Sequence, residues 1–230
     1  MSSPGKTTAL IELETVEVCT GDSPSAAVIW LHGLGADGHD FEPIVPHIRW
    51  EGMPGIRYVF PHAPERPMTI NGGMSMRAWY DILSLEGSRD QDADGIQDSV
   101  EAITALVVRE IQRGIAPENI IIAGFSQGGA IATLVALQFS HRLAGLVVLS
   151  SYLLFADSLA GNITSANAAL PAFVAHGQLD PMLPVTMGQE IATTLETLGH
   201  EVEWHSYPIP HSVSPEEIAD LTHWISQQLS

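Results

Sequence analysis

Asn119-Ile-Ile-Ile-Ala-Gly-Phe-Ser-Gln-Gly-Gly-Ala130 (NIIIAGFSQGGA) joins a run of branched apolar residues to a run of small ones, with Ser126 near the junction. The first half reads as a strand buried on both faces, because the apolar run is continuous rather than alternating. The second half, continued to Phe139, reads as a small, apolar helix. A strand that turns directly into a helix at Gly-x-Ser-x-Gly strains the serine backbone and lifts its hydroxyl above a sheet edge. Gly124 and Gly128 are needed there because a side chain at either would collide with the neighbouring strand or helix. Gly129 and Ala130 let the helix pack closely. The five-residue motif is weak by itself, since Gly and Ser are frequent in this chain. Its place between strand and helix is what separates it from an inert, glycine-rich turn.

Similar runs flank this segment. Ala26–His32, Ile56–Phe60, Leu146–Ser150 and Ala172–Ala175 read as further buried strands, and Leu10–Val18 and Glu201–Tyr207 as more polar edge strands. Apolar residues at close to 3.6 spacing predict a helix over Gly95–Gly114, and Val185–Leu198 is amphipathic. Pro215-Glu216-Glu217 opens a last helix with Ser214 as its N-cap. Strands alternating with helices predict an α/β fold with a mostly parallel central sheet, helices on both faces, in one domain over residues 1–230. The exception is Pro64–Gln97, a long stretch with an acidic Asp90–Asp94 turn. It reads as a lid-like excursion facing the substrate.

A serine hydroxyl is a poor nucleophile until a base takes its proton. In this architecture an acid and then a histidine follow the serine on loops after later strands. Among ten histidines, His211 follows the last strand on the loop Pro208-Ile209-Pro210-His211. His205 falls within that strand and His223 within a helix. His141 and His200 fall near helix ends, where a cation suits the helix dipole. Asp180 emerges directly after the strand PAFVAHG and is the expected acid, with Asp157 as the alternative. Acyl transfer also needs N–H donors for the oxyanion. The residue after the nucleophile, Gln127, supplies one, and Leu34 in Leu31-His32-Gly33-Leu34-Gly35 supplies the other.

Gly33–Gly38 also fits Gly-x-Gly-x-x-Gly after a strand, the signature of a dinucleotide-binding protein. That reading needs an immediate helix and an acid at the end of the next strand. Pro43 and Pro46 interrupt the following segment, and IRYVF runs into Pro61-His62-Ala63 with no acid. No cofactor or metal is expected.

The bulk numbers exclude other classes. A net charge of −18 with nine basic residues leaves no basic face for nucleic acid. No apolar stretch reaches the length of a membrane span. The N-terminus does not read as a secretory signal, so a cytoplasmic address is the expectation. The single cysteine, Cys19, precludes an internal disulfide and reads as a small buried hydrophobe.

Six segments carry a resemblance to a known family: VIWLHGLGADG (28–38), PHAPERPMTINGG (61–73), WYDI (79–82), GFSQGGA (124–130), HGQLDPMLP (176–184) and YPIPHSVSPEEI (207–218). They resemble the bacterial carboxylesterase and acyl-protein thioesterase family, also called phospholipase/carboxylesterase, of the α/β-hydrolase fold. The resemblance implies hydrolysis of esters or thioesters, with Ser126, Asp180 and His211 as triad and Leu34 and Gln127 at the oxyanion. It also implies an acyl groove lined by the loop around Met68–Trp79. Met74, Met76, Trp79, Met182 and Leu183 suit an adaptable apolar surface for short or medium acyl chains. The implied substrates are small or lipid-like acyl esters or acylated proteins, and a weak homodimer is implied as well. Esterase, thioesterase and lysophospholipase stay open as the physiological activity. Pro210, where some members have Gly, and Tyr152, where eukaryotic relatives often have Trp, bear on acyl-chain preference.

Overall fold

The apolar runs find their partners in a seven-stranded sheet. The computed structural model describes residues 12–83 and 91–229. Its elements in chain order are β1 (Thr15–Cys19), β2 (Ala26–Leu31), β3 (Ile56–Pro61), β4 (Glu65–Met68), β5 (Met74–Arg77), α1 (Ala93–Gln112), β6 (Ile120–Phe125), α2 (Gln127–Gln138), β7 (Gly145–Leu149), β8 (Ala172–Gly177), α3 (Val185–Thr197), β9 (Val202–Tyr207) and α4 (Pro215–Gln228). The large sheet runs β1-β3-β2-β6-β7-β8-β9. Every pairing in it is parallel except that of β1 with β3. This is the mostly parallel sheet expected from the alternating pattern, in the α/β-hydrolase arrangement that the resemblance implied.

Side chains of successive residues leave a strand on opposite faces, and that division makes two cores. Ala27, Ile29 and Leu31 of β2, with Ile120 and Ile122 of β6, join one cluster with α1, α2 and α3. Val28, Trp30, Ile121 and Ala123 join the other with α4. Full burial of such a side chain contributes roughly 1.5–3 kcal/mol, so continuous apolar strands are stable only where both faces are covered. α2 is buried all round from Gln127 to Leu137, which is why its sequence shows no polar face.

Chain order reverses at β2, which has β3 on one side and β6 on the other. Loops leave the carboxyl ends of β2 and β6 in opposite directions, towards β3 and β7, and ligands of open α/β sheets bind in such a crevice. Leu31 of β2 pairs with Gly124 of β6, so the loops carrying Gly33 and Ser126 emerge side by side.

Several expectations are revised. The first helix starts at Ala93, two residues early, because Asp92 caps it by accepting from the Gly95 N–H at 3.0 Å. Leu10, Ile11 and residues 84–90, with the Asp90 of the acidic turn, lie outside the described residues. The Pro64–Gln97 excursion holds an antiparallel hairpin, β4 with β5. Cys19 is exposed and pairs with Arg57 near the start of β3, at the sheet edge opposite Ser126. His200 is no helix-end cation: it is buried, and burial lowers its pKa. Among the described residues no helix is long and apolar enough to cross a membrane.

Candidate active site

Ser126 sits between β6 and α2 with φ 52° and ψ −121°, a backbone conformation that L residues rarely adopt. Such a residue costs about 1–3 kcal/mol and persists only where its surroundings over-determine it. They do here. The Ser126 N–H donates to the Leu149 carbonyl at 2.9 Å, and its own carbonyl accepts from Gly129 N–H at 3.0 Å and Ala130 N–H at 3.3 Å. The Ser151 hydroxyl donates to that same carbonyl at 2.6 Å. The glycines serve close approach, as the sequence implied. A Cβ on Gly128 would stand 2.5 Å from the carbonyl oxygens of Leu31 and His32, and one on Gly129 2.8 Å from the Ser151 Cβ.

Asp180 and His211 lie on the loops after β8 and β9, whose ends are level because Gly177 pairs with Tyr207. The loops interlock: Leu179 N–H donates to the Ile209 carbonyl at 3.0 Å. Asp180 Oδ2 accepts from His211 Nδ1 at 2.6 Å. Its other oxygen accepts from the N–H groups of Met182 at 2.8 Å and Leu183 at 2.9 Å. Burial raises the pKa of this carboxyl, but the bonds from Leu183, His211 and Met182 outweigh it, and the net shift is downward. The ring of His211 lies 4.7 Å from that of Phe125, the residue before Ser126. Among the described residues no hydrogen bond yet joins the Ser126 hydroxyl to it; such bonds often close only around substrate. Asp157, the alternative acid, lies in an exposed 3-10 helix.

The Gly33–Ala36 turn follows β2, closed by Ala36 N–H donating to the Gly33 carbonyl at 3.3 Å. Gly35 has φ +78°, the left-handed geometry that the third residue of a type II turn requires. In that turn the N–H of the second residue, Leu34, takes no part. A Cβ on Gly33 would stand 3.4 Å from the Ser126 Cβ, so this turn borders the serine. Gln127 opens α2, where a helix leaves its first N–H groups without internal partners. Gly33–Gly38 is followed by a 3-10 helix at Glu42–His47, not the immediate α-helix of a dinucleotide fold. A Cβ on Gly38 would stand 2.5 Å from the Phe60 carbonyl oxygen.

The acyl-groove expectation divides. Met74 and Met182 are 65% and 71% exposed, while Met76 and Leu183 are half-buried. Trp79 is 0% exposed, which corrects its assignment: its ring offers no groove surface. Its indole N–H donates instead to the His32 carbonyl at 2.8 Å.

Three contributors, His32, His176 and Tyr80, were not singled out in the sequence. His32 is buried, and its pKa is pushed down to about 4 by burial. His176, whose pKa is likewise lowered by burial, binds the Leu183 carbonyl through Nε2 at 3.0 Å and lies 3.4 Å from Asp180 Oδ2. The Tyr80 and Tyr152 hydroxyls meet at 2.5 Å. The signal for His32 and His176 is faint but present: each stands directly before a glycine at a strand's end. Among the described residues, no group of three or more His, Cys, Asp or Glu is arranged to hold a metal ion.

Comparison with known proteins agrees with this geometry. The phospholipase/carboxylesterase family model matches residues 13–229. Acyl-protein thioesterase 1 of Gibberella zeae is 38% identical over 214 residues, covering 89% of this chain and 91% of that protein. The crystal structure of Arabidopsis thaliana SOBER1 superposes with a TM-score of 0.83 at 31% identity, covering 89% of this chain and 99% of that one. Zea mays acyl-protein thioesterase 2 superposes with a TM-score of 0.81 at 26% identity, covering 94% and 99%. A serine at a strained strand-to-helix elbow, level with a bonded Asp–His pair, together with a family match over nearly the whole chain, makes this protein a serine hydrolase of the phospholipase/carboxylesterase family, with the α/β-hydrolase fold.

Proposed function

We propose that the protein is a carboxylesterase acting on short to medium acyl esters and on thioesters, with Ser126 as nucleophile, His211 as base and Asp180 as orienting acid. One observation carries the reading: Asp180 holds His211 Nδ1 at 2.6 Å on a loop packed beside the serine elbow. That bond puts the ring proton on Nδ1 and leaves Nε2 to take the proton of Ser126 as its oxygen attacks the acyl carbonyl. Asp180 stays ionised, in keeping with its lowered pKa, and stabilises the imidazolium. The N–H groups of Leu34 and Gln127 receive the developing oxyanion, each typically contributing about 3–4 kcal/mol in the transition state. His211 then returns the proton to the departing alcohol or thiol. A water that it activates releases the acid.

The thioester arm is favoured by the relatives, which bear the name acyl-protein thioesterase. Acylated proteins and lipid-like esters are therefore the substrate classes to test. Hydrolysis of p-nitrophenyl acetate and butyrate by native protein and Ser126→Ala tests the chemistry. The variant is expected to lose about 10⁴-fold or more in kcat; retained turnover would refute the assignment. A chain-length series of esters and matched thioesters, compared by kcat/KM, then decides the acyl preference.

A further inference from the structure

The two N–H groups assigned to the oxyanion stand on separate segments, one in the turn after β2 and one at the start of α2. A pocket built this way is only as good as the spacing between its halves. The structure joins them through buried groups. The ring of His32 accepts at Nε2 from the Ala63 N–H at 3.1 Å. Its proton is therefore on Nδ1, which donates to the Gly33 carbonyl at 2.7 Å, one residue before Leu34. The His32 carbonyl accepts from the Trp79 indole at 2.8 Å, and the two rings lie 5.2 Å apart. The Trp79 backbone N–H donates to Gln127 Oε1 at 2.8 Å. Gln127 Nε2 donates in turn to the Tyr80 carbonyl at 2.9 Å. The Ser99 hydroxyl donates to the Trp79 carbonyl, so Trp79 is held on that side too. His32, Trp79 and Gln127 are all buried.

We propose that the side chains of His32, Trp79 and Gln127 form one positioning relay that sets the distance between the Leu34 and Gln127 N–H groups and so tunes the oxyanion pocket. The inference rests on the functional reading of Ser126, Leu34 and Gln127 above. None of the three side chains touches the reacting atoms; each acts through backbone it holds. A displacement of about 1 Å in such a site can lower the rate about 100-fold, whereas one neutral hydrogen bond contributes modestly to folding. The relay therefore matters more to kcat than to stability.

The test uses Trp79→Phe, which keeps a ring against His32 and deletes the indole donor, and Gln127→Met, which removes the clamp on Trp79 and Tyr80 at similar volume. Active sites are first counted by exhaustive fluorophosphonate labelling, so that kcat refers to folded, competent protein. Each variant is expected to lower kcat about 10- to 100-fold with KM within about two-fold of native. The affinity of an acyl trifluoromethyl ketone, whose adduct with the serine carries an oxyanion, is expected to fall by the same factor as kcat/KM. The double variant is expected to lose little more than the more damaging single one, because one relay is broken once. Native kcat per labelled site in both variants overturns the proposal. So does a lowered kcat with unchanged ketone affinity, or losses that multiply in the double variant. If Trp79→Phe does not fold, Gln127→Met carries the kinetic test alone. Ser126→Ala separates the levels: an active Ser126→Ala sinks the functional reading, whereas an inactive one beside native-like relay variants sinks only the relay.

Discussion

Ser126 shows what single residues contribute. Its hydroxyl is the proposed nucleophile, while its φ of 52° opposes stability. Gly adopts that conformation freely, so Ser126→Gly releases strain of about 1–3 kcal/mol and gives back about 0.4–1 kcal/mol through a more flexible unfolded chain. Ser126→Ala removes the hydroxyl and leaves the strain. Chemical denaturation of the two variants is therefore expected to find Ser126→Gly more stable by about 1 kcal/mol. A Ser126→Gly variant less stable than Ser126→Ala by about 0.4–1 kcal/mol would mean that the elbow is unstrained. At this scale Ser126, Asp180 and His211 were legible because each follows a strand at its carboxyl end. The partners of His32 and His176 were not, since hydrogen bonds between distant loops leave no local pattern.

At the scale of elements, the start of α4 joins helix formation to pH. Ser214 and Glu217 form a capping box, with Ser214 accepting from the Glu217 N–H at 3.1 Å. Glu217 is buried, and burial pushes its pKa up to about 7, against the bond with Ser214. A carboxyl whose folded pKa is raised loses stability as pH climbs from its ordinary value near 4.5 through about 7. Glu217→Gln keeps the acceptor that the box needs and removes the buried charge. The variant is expected to match native protein near pH 4.5 and to exceed it at pH 8 by on the order of 1–3 kcal/mol. Thermal melts across that range check this, and a native protein as stable as the variant at pH 8 would contradict it. The N-cap, Ser214, was legible in the sequence; the reciprocal bond from Glu217 was not singled out there. Nor was the β4–β5 hairpin: its strands are four residues long, one contains Pro67, and neither has an apolar run.

Charge acts on the whole molecule. Of nine basic residues, Arg57, Arg109 and Arg113 converge on Glu17 and the buried Glu110, binding α1 to β1 and β3. Replacing Glu110 by Gln leaves the half-buried Arg57 without its carboxylate partner at 2.7 Å, and chemical denaturation is expected to find a loss of about 1–3 kcal/mol. Elsewhere a net charge of −18 repels itself. Raising ionic strength from about 0.01 M to 0.15 M shrinks the screening length from roughly 30 Å to 8 Å. The expected result is a higher Tm, measured by scanning calorimetry with a non-binding salt. A Tm that falls over this interval would show that the arginine network outweighs the repulsion.

The sequence by itself determined the order of the strands of the large sheet and of the four α-helices, the buried character of the central strands, the elbow at Ser126 and the placing of Asp180 and His211 after later strands. All of these follow from local chemistry: apolar runs, capping residues, and glycines where no Cβ fits. Only the tertiary structure decided that the β2 and β6 loops emerge side by side, which depends on strand order and register. It also decided that Trp79 is a buried donor rather than a groove wall, and that His32 and His176 are neutral supports. A side chain's exposure and its hydrogen-bond partners are set by what the chain brings against it from far away. No window of neighbouring residues contains that information.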